Sequence, residues 1–461
     1  MMFMTKLVAI LILVVVSVSC AQIGLADSEQ KYACVDTREF QRRETQMFSA
    51  LYVAADGMVY AGLCTHAGSG QFYQYDPRAG RMRHIADIAE FLGQRGKGIR
   101  TAGKIHTPFV EDKEGRIYFG TMCEDSGPPN IDPYSWEGPH WIRYDPKADR
   151  LENLGLINRL WGIYGLVIDK KRNLLFGTAW DGHLYRYDIN TGKSRDVGRV
   201  DNWDDLRQIV IDDEGNVYGT YPTARIWKYD ARTELVYDLS VQIPHDPQVF
   251  PTRLSNPMLD RKAIWRAVKW DPVDRVVYGV DGGSSILFKY DPNDGPGGKV
   301  TALGRLCTER FFDSNRKDVP SSTLAFTIGH DRRVYYAAAG LDFDYEARLE
   351  AARLSQGRSG VKSPRSVALY SDLIVYDLKS QKRSGLGMLR TRDSRHVLGC
   401  GAAAAGPDGT IYFGAAVEAK DPEKAAGKAA GVHPFNMELL LYRPGSGCAA
   451  PSPAKLREQS K

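Results

Sequence analysis

The sequence holds no C-x-x-C pair, no G-x-G-x-x-G run and no G-x-S-x-G run. Those absences argue against a zinc or redox motif, a dinucleotide-binding turn and a serine nucleophile elbow. Charge of one sign is also scarce. The net charge is +5 over 461 residues, with no basic helix and no zinc spacing, so nucleic acid is not an expected partner. The N-terminal apolar run, Leu7–Val16, is too short to span a bilayer.

That run follows Lys6 and precedes the mostly small residues Ser17–Ala21, the pattern of an export signal over residues 1–20. Two readings stay open: cleavage near Ala21, or lipidation of Cys20, the only expected link to a membrane. Either places the mature chain outside the cytoplasm, in the periplasm, in the medium or on an outer surface. Six further cysteines remain, Cys34, Cys64, Cys123, Cys307, Cys400 and Cys448. An even count in an exported chain suggests disulfides, and a Cys34–Cys448 bond would staple the two ends.

Glycine (45) and tyrosine (24) are plentiful, which suits turns and strands better than long helices. The strongest signal is repetition. A turn followed by an apolar, tyrosine-rich strand occurs seven times: AADGMVYAG, EDKEGRIYFG, IDKKRNLLFG, IDDEGNVYG, WDPVDRVVYG, GHDRRVYYA and GPDGTIYFG. Each is followed by a strand ending in tyrosine, at Tyr75, Tyr144, Tyr187, Tyr229, Tyr290, Tyr376 and Tyr442, usually before aspartate. The spacings are 69, 43, 42, 61, 86 and 66 residues, and the two shortest define a unit of four short strands. A β-sandwich needs about 100 residues per unit, so the period excludes it. A four-stranded sheet cannot bury both faces alone, whereas seven around an axis can. The expectation is an all-β, seven-bladed β-propeller of antiparallel blades over residues 45–445, closed by N- and C-terminal strands. A lead-in over 21–44 precedes it, and a polar, loose tail over 446–461 follows.

The Tyr-Asp-Pro/Asn-x-Gly turn, as in YDPRAG and YDINTG, resembles that of secreted propellers of the quinoprotein-like and gluconolactonase-like superfamilies. The resemblance is one of fold and assigns no reaction. Binding sites on such propellers usually sit at the channel mouth. Two kinds of loop reach it: the connections into each blade and the loops joining second and third strands.

Those loops are basic and aromatic. The connection into blade two, QRGKGIRTAGKIH, carries Arg95, Lys97, Arg100 and Lys104, and the one into blade seven carries Arg390, Arg392, Arg395 and His396. Trp161, Tyr164, Trp265 and Arg266 stand nearby in other blades. Arginine forks suit carboxylate or sulfate, and aromatic faces suit a pyranose, so an anionic oligo- or polysaccharide is the expected ligand. A gapless alignment of the repeats sets His106 level with Ile163, Leu206, Trp265 and Cys400, at the heads of the innermost strands. The residues Lys104, Arg100, Trp161, Trp265, Arg266, Arg395 and His396 are the candidate substrate contacts. His106 is the candidate base.

The resemblance to propeller polysaccharide lyases, which use His, Tyr and Arg together, implies β-elimination from a uronate. Tyr164 or His140 would then be the acid, and Arg100, Arg266 or Arg395 the carboxylate clamp. A divalent metal is compatible with the scattered histidines and acids, but no ligand spacing supports one. The alternative is a monomeric, non-catalytic propeller presenting a protein- or glycan-binding surface at the cell envelope. A calcium lactonase using Asn202, Asp204 and Asp205 ranks lower.

Overall fold

A computed structural model describes residues 32–42, 46–64, 68–123, 131–132, 134–159, 162–200, 208–221, 223–244, 264–282, 285–307, 322–340, 370–425, 427–429 and 433–446. Trp161, Leu206, Cys20, Cys448, the expected signal and the expected tail from residue 447 on lie outside them.

Two turns recur through the blades. In the first, an aspartate closes the hairpin between the two inner strands. Asp212 accepts the Glu214 and Asn216 N–H groups (3.0 and 2.8 Å) and the Tyr218 hydroxyl (2.9 Å); Asp112 does the same for Glu114, Arg116 and Tyr118. The turn needs one left-handed residue, supplied by Gly57, Gly115, Gly215 and Gly409 in four blades and by Asn173, Arg275 and Arg332 in the others. The second turn joins third and fourth strands. Asp76, Asp145, Asp188, Asp230 and Asp377 each accept the N–H groups two and three residues on. The residue four beyond the aspartate is left-handed: Gly80, Asp149, Gly192, Glu234 and Gln381. The Tyr-Asp signature is therefore hairpin chemistry, an Asx turn.

Between these turns the strands form seven blades, the last two of them joined through the N-terminal strand into one nine-stranded sheet. Blade one is Leu51–Val53, Val59–Leu63, Gln71–Asp76 and Arg81–Asp87. Blade two is a split inner strand (Lys104–Ile105 and Val110–Glu111), then Ile117–Met122, His140–Asp145 and Arg150–Leu156. Blade three is Ile163–Asp169, Leu174–Ala179, His183–Asp188 and Lys193–Arg199. Blade four is Val210–Ile211, Val217–Thr220, Arg225–Asp230 and Leu235–Gln242. Blade five is Trp265–Asp271, Val276–Asp281, Ile286–Asp291 and Lys299–Arg305. Blade six is Phe326–Ile328, Arg333–Gly340, Tyr370–Asp377 and Lys382–Thr391. Blade seven is Val397–Ala405, Ile411–Glu418 and His433–Tyr442, completed by the N-terminal strand Tyr32–Glu39. The ring is the expected β-propeller. Its apolar clusters lie between neighbouring blades, as where Val167 and Phe176 of blade three meet Trp227 of blade four.

The closing strand serves two blades. Tyr32–Val35 run parallel to Met388–Thr391 of blade six, and Asp36–Glu39 run antiparallel to Glu438–Leu441 of blade seven. Asp36 is gripped by Arg392 and Arg443, each at 2.6 Å.

After the closing strand, Arg42 ties the chain to blade one through Asp87. This aspartate caps a short helix, Ile88–Phe91, and accepts bonds from Ser69 (2.5 Å), the Glu90 N–H (3.0 Å), Gln71 (3.2 Å), Arg42 (2.9 Å) and Arg95. Burial would raise its pKa, but bonds from Ser69, Glu90, Gln71 and Arg95 outweigh that and hold it at about 2. The folded value lies below the ordinary 3.8, so the stabilisation is present above pH 4 and is lost as pH falls toward 2. Asp87→Asn is expected to lower stability at pH 7 by about 2 kcal/mol. It should also flatten the acid limb of a urea-midpoint profile between pH 4 and 2.

The cysteines depart from expectation. Cys64, Cys123, Cys307 and Cys400 are buried thiols, so the described residues carry no multi-disulfide framework. Burial pushes the Cys400 thiol up to about 12. Cysteine is among the most buried residue types, and Cys400 packs as a small apolar group in the core of blades six and seven.

Candidate functional site

The site begins with an irregular strand. In blades three, five and seven, the inner strand gains one residue on its partner between two fixed rungs. These rungs are Ile163↔Ala179 and Val167↔Phe176, Trp265↔Asp281 and Lys269↔Tyr278, and Cys400↔Ala415 and Ala404↔Tyr412. Blade two runs from Ile105↔Thr121 to Val110↔Tyr118, five steps against three, and so gains two. Ile105, not His106, is level with Ile163, Trp265 and Cys400. His106 sits one residue further, inside the double bulge. Bulges re-aim side chains and concentrate near binding sites.

The bulge lays His106 against two rings. Its imidazole stacks on Phe48 (centroids 4.3 Å, planes 19° apart) and meets Tyr164 edge-on (4.7 Å, 83°). Tyr164 stacks in turn on Trp180 (5.3 Å, 28°). The ladder joins the segment before blade one, the bulge of blade two and both inner strands of blade three. His106 and Tyr164 are each only 3% exposed, while Phe48 and Trp180 are half-buried and form its accessible ends.

Lys104 stands at the start of the inner strand of blade two. It pairs with Met122 within blade two and bridges to Cys64 of blade one, whose thiol donates to the Ile105 carbonyl (3.2 Å). Lys104 is buried and lies two residues before His106 in the chain. The Arg100 N–H donates to Ser135 Oγ (2.8 Å), so this arginine is anchored to the loop before the third strand of blade two.

The other expected contacts lie elsewhere. His140 heads the third strand of blade two, with Nδ1 on Asn153 Oδ1 (2.9 Å); burial lowers its pKa, partly offset by Asn153 and Glu137. Trp265 is buried in blade five and donates Nε1–H to the Gln208 carbonyl (2.7 Å). Arg266 donates Nε–H to the Ser322 carbonyl (3.0 Å). His396 is half-buried in blade seven, and its N–H donates to Glu418 (3.2 Å). Arg395, expected to clamp a substrate carboxylate, is committed to a buried partner. It forks onto Glu438 (2.5 and 3.1 Å) and donates to the Glu418 carbonyl (3.0 Å).

The structure therefore brings together His106 and Tyr164, and adds Phe48 and Trp180, which sequence reasoning did not single out. Both are aromatic residues in or beside segments that lead to the inner strands, and that placement was the available signal. Among the described residues, no group of three or more histidines, cysteines, aspartates and glutamates has metal-binding geometry.

No family model matches the chain, and no curated protein matches it. Similarity appears at the level of solved structures. A chain of the mitotic checkpoint complex crystal structure is 12% identical, covering 91% of this chain and 94% of that one, with a TM-score of 0.50. The RRP9 WD40 repeats are 7% identical, covering 90% and 99%, with a TM-score of 0.53. At these identities the likeness is one of fold: both support the propeller and neither extends to the site.

Proposed function

We propose that the chain is an exported propeller that binds an anionic carbohydrate at the channel mouth, and that the reaction its mouth supports is β-elimination from a uronate glycan. The observation that carries this reading is the contact of His106 with Tyr164 across two blades. In such a reaction the base serves C5 and the acid the oxygen on C4, neighbouring positions that two adjoining side chains can reach. A cation at Lys104 or Arg100 would neutralise the uronate carboxylate and make the neighbouring C5 proton acidic. His106 would take that proton. The electron pair forms the C4–C5 double bond, the C4–O bond breaks, and the Tyr164 hydroxyl protonates the departing oxygen. Phe48 and Trp180 offer apolar faces to the rings on either side.

A second reading, a non-catalytic glycan-binding propeller, is favoured by the near-complete burial of both His106 and Tyr164 and by the commitment of Arg395 to Glu438. Cys34, on the closing strand, would in either case be tied to Cys448.

Absorbance near the unsaturated-uronate band, followed with a panel of uronic-acid polysaccharides, separates the readings. Wild type should give a signal that His106→Ala and Tyr164→Phe each reduce by about 100-fold or more. A signal retained in His106→Ala overturns its role as base. Silence with measurable glycan binding supports the second reading. Silence without binding overturns both.

A further inference from the structure

The seven inner strands share one rung opposite the aromatic residue of the second strand. Its occupants are Tyr52, Val110, Val167, Val210, Thr327 and Ala404, facing Tyr60, Tyr118, Phe176, Tyr218, Tyr335 and Tyr412. None of the six is charged. In blade five the occupant is Lys269, opposite Tyr278.

Paired residues share a sheet face, so Lys269 lies on the face of Tyr278. That tyrosine belongs to the apolar cluster between blades five and six, with Phe326, Val334 and Tyr336. Lys269 is half-buried, and among the described residues no hydrogen bond or ion pair holds its amine.

The nearby carboxylates on its own strand and those packed beside it are already engaged. Asp271 is forked by Arg332 (2.6 and 2.7 Å), Asp281 accepts the Ile286 N–H (2.6 Å) and Asp213 accepts from Trp270 (3.1 Å). The other groups on these strands that carry or can carry charge are also accounted for: Arg266 donates to the Ser322 carbonyl, and the Tyr278 hydroxyl donates to Asp274 (2.8 Å). The neighbouring inner strands, Val210–Ile211 and Phe326–Ile328, contribute no ionisable side chain.

We propose that Lys269 is a reactive amine on the channel-lining strand of blade five that forms an imine with a small aldehyde or ketone. Burial without a counter-charge disfavours the ammonium form and lowers the pKa of this lysine, the usual route to a nucleophilic amine. The neutral Nζ attacks the carbonyl carbon, a C–N bond forms, and the carbonyl oxygen leaves as water. No oxidant or reductant takes part. The site is separate from the His106–Tyr164 ladder and stands whether or not that ladder is catalytic.

The test treats the full chain with propanal and cyanoborohydride, which fixes any imine as a secondary amine, and reads each lysine by peptide mass spectrometry. At pH 7 Lys269 should be labelled faster than the exposed lysines Lys147 and Lys193, by roughly tenfold for each unit by which its pKa is lowered. That lead should shrink as pH rises, because it rests on Lys269 being the more easily deprotonated amine. Lys269→Met should fold, since apolar residues fill the rung elsewhere, and should lose the fast-labelled peptide while leaving the other lysines unchanged. Labelling of Lys269 no faster than Lys147, or a lead that does not change with pH, overturns the proposal.

Discussion

Arg395→Ala is expected to destabilise the protein by about 3–5 kcal/mol, because it leaves the Glu438 carboxylate buried without its cation. Glu438 is 1% exposed, and Arg395 supplies both of its guanidinium bonds. The same guanidinium reaches the Glu418 carbonyl, Asp393 at 3.0 Å and Thr37 on the closing strand at 3.4 Å. The substitution therefore loosens blade seven where the ring closes. Urea unfolding measures the loss. The double variant Arg395→Leu with Glu438→Leu should recover most of it, since removing both charges removes the desolvation penalty along with the attraction. If the single variant unfolds at the wild-type midpoint, the pair has no structural role and Arg395 becomes available to a ligand.

A chain beginning at residue 41 should lose cooperative unfolding altogether. Without Tyr32–Glu39 the Glu438–Leu441 edge of blade seven has no outer partner, and Met388–Thr391 of blade six loses its parallel neighbour. The apolar side chains Ala33, Val35 and Phe40 leave their clusters. Unpaired edges of this kind invite association between chains. Size-exclusion chromatography and thermal unfolding of chains starting at residues 32 and 41 make the comparison. The longer should be monomeric with a single sharp transition, and the shorter aggregated or without one. An intact transition in the shorter chain would mean that the closing strand contributes little. A synthetic peptide spanning residues 32–40 should restore solubility to the shorter chain by adding the missing strand.

The ring was legible in the sequence because one turn-and-strand pattern is written seven times. A left-handed residue followed by an aromatic one recurs in every blade, tyrosine in all but blade three, and the aspartate of the turn does the same local work at Asp112 and Asp212. The mouth was less legible. A gapless alignment cannot show that blade two gains two residues where blades three, five and seven gain one, so His106 was assigned one rung away from its place. Its stacking partner Phe48 precedes blade one and is distant along the chain, and no local periodicity links them. Arg395 and Glu438 lie 43 residues apart, and sequence alone gives a loop arginine the look of a ligand contact. Lys269 did leave a trace: a lysine set between the apolar residues Val268 and Trp270 of the inner strand.

The closing strand also sets an order of events during synthesis. Asp36 meets Arg392 and Arg443 across sequence separations of 356 and 407 residues. The first described strand to leave the ribosome is thus among the last to find its place, and it must wait until nearly the whole ring has been made. Loop closure over such lengths slows folding more than it lowers final stability. Through that interval the apolar side chains Ala33 and Val35 and the open edge of blade seven are both exposed, so the chain's vulnerability to misassembly is kinetic and greatest just before its last blade is complete.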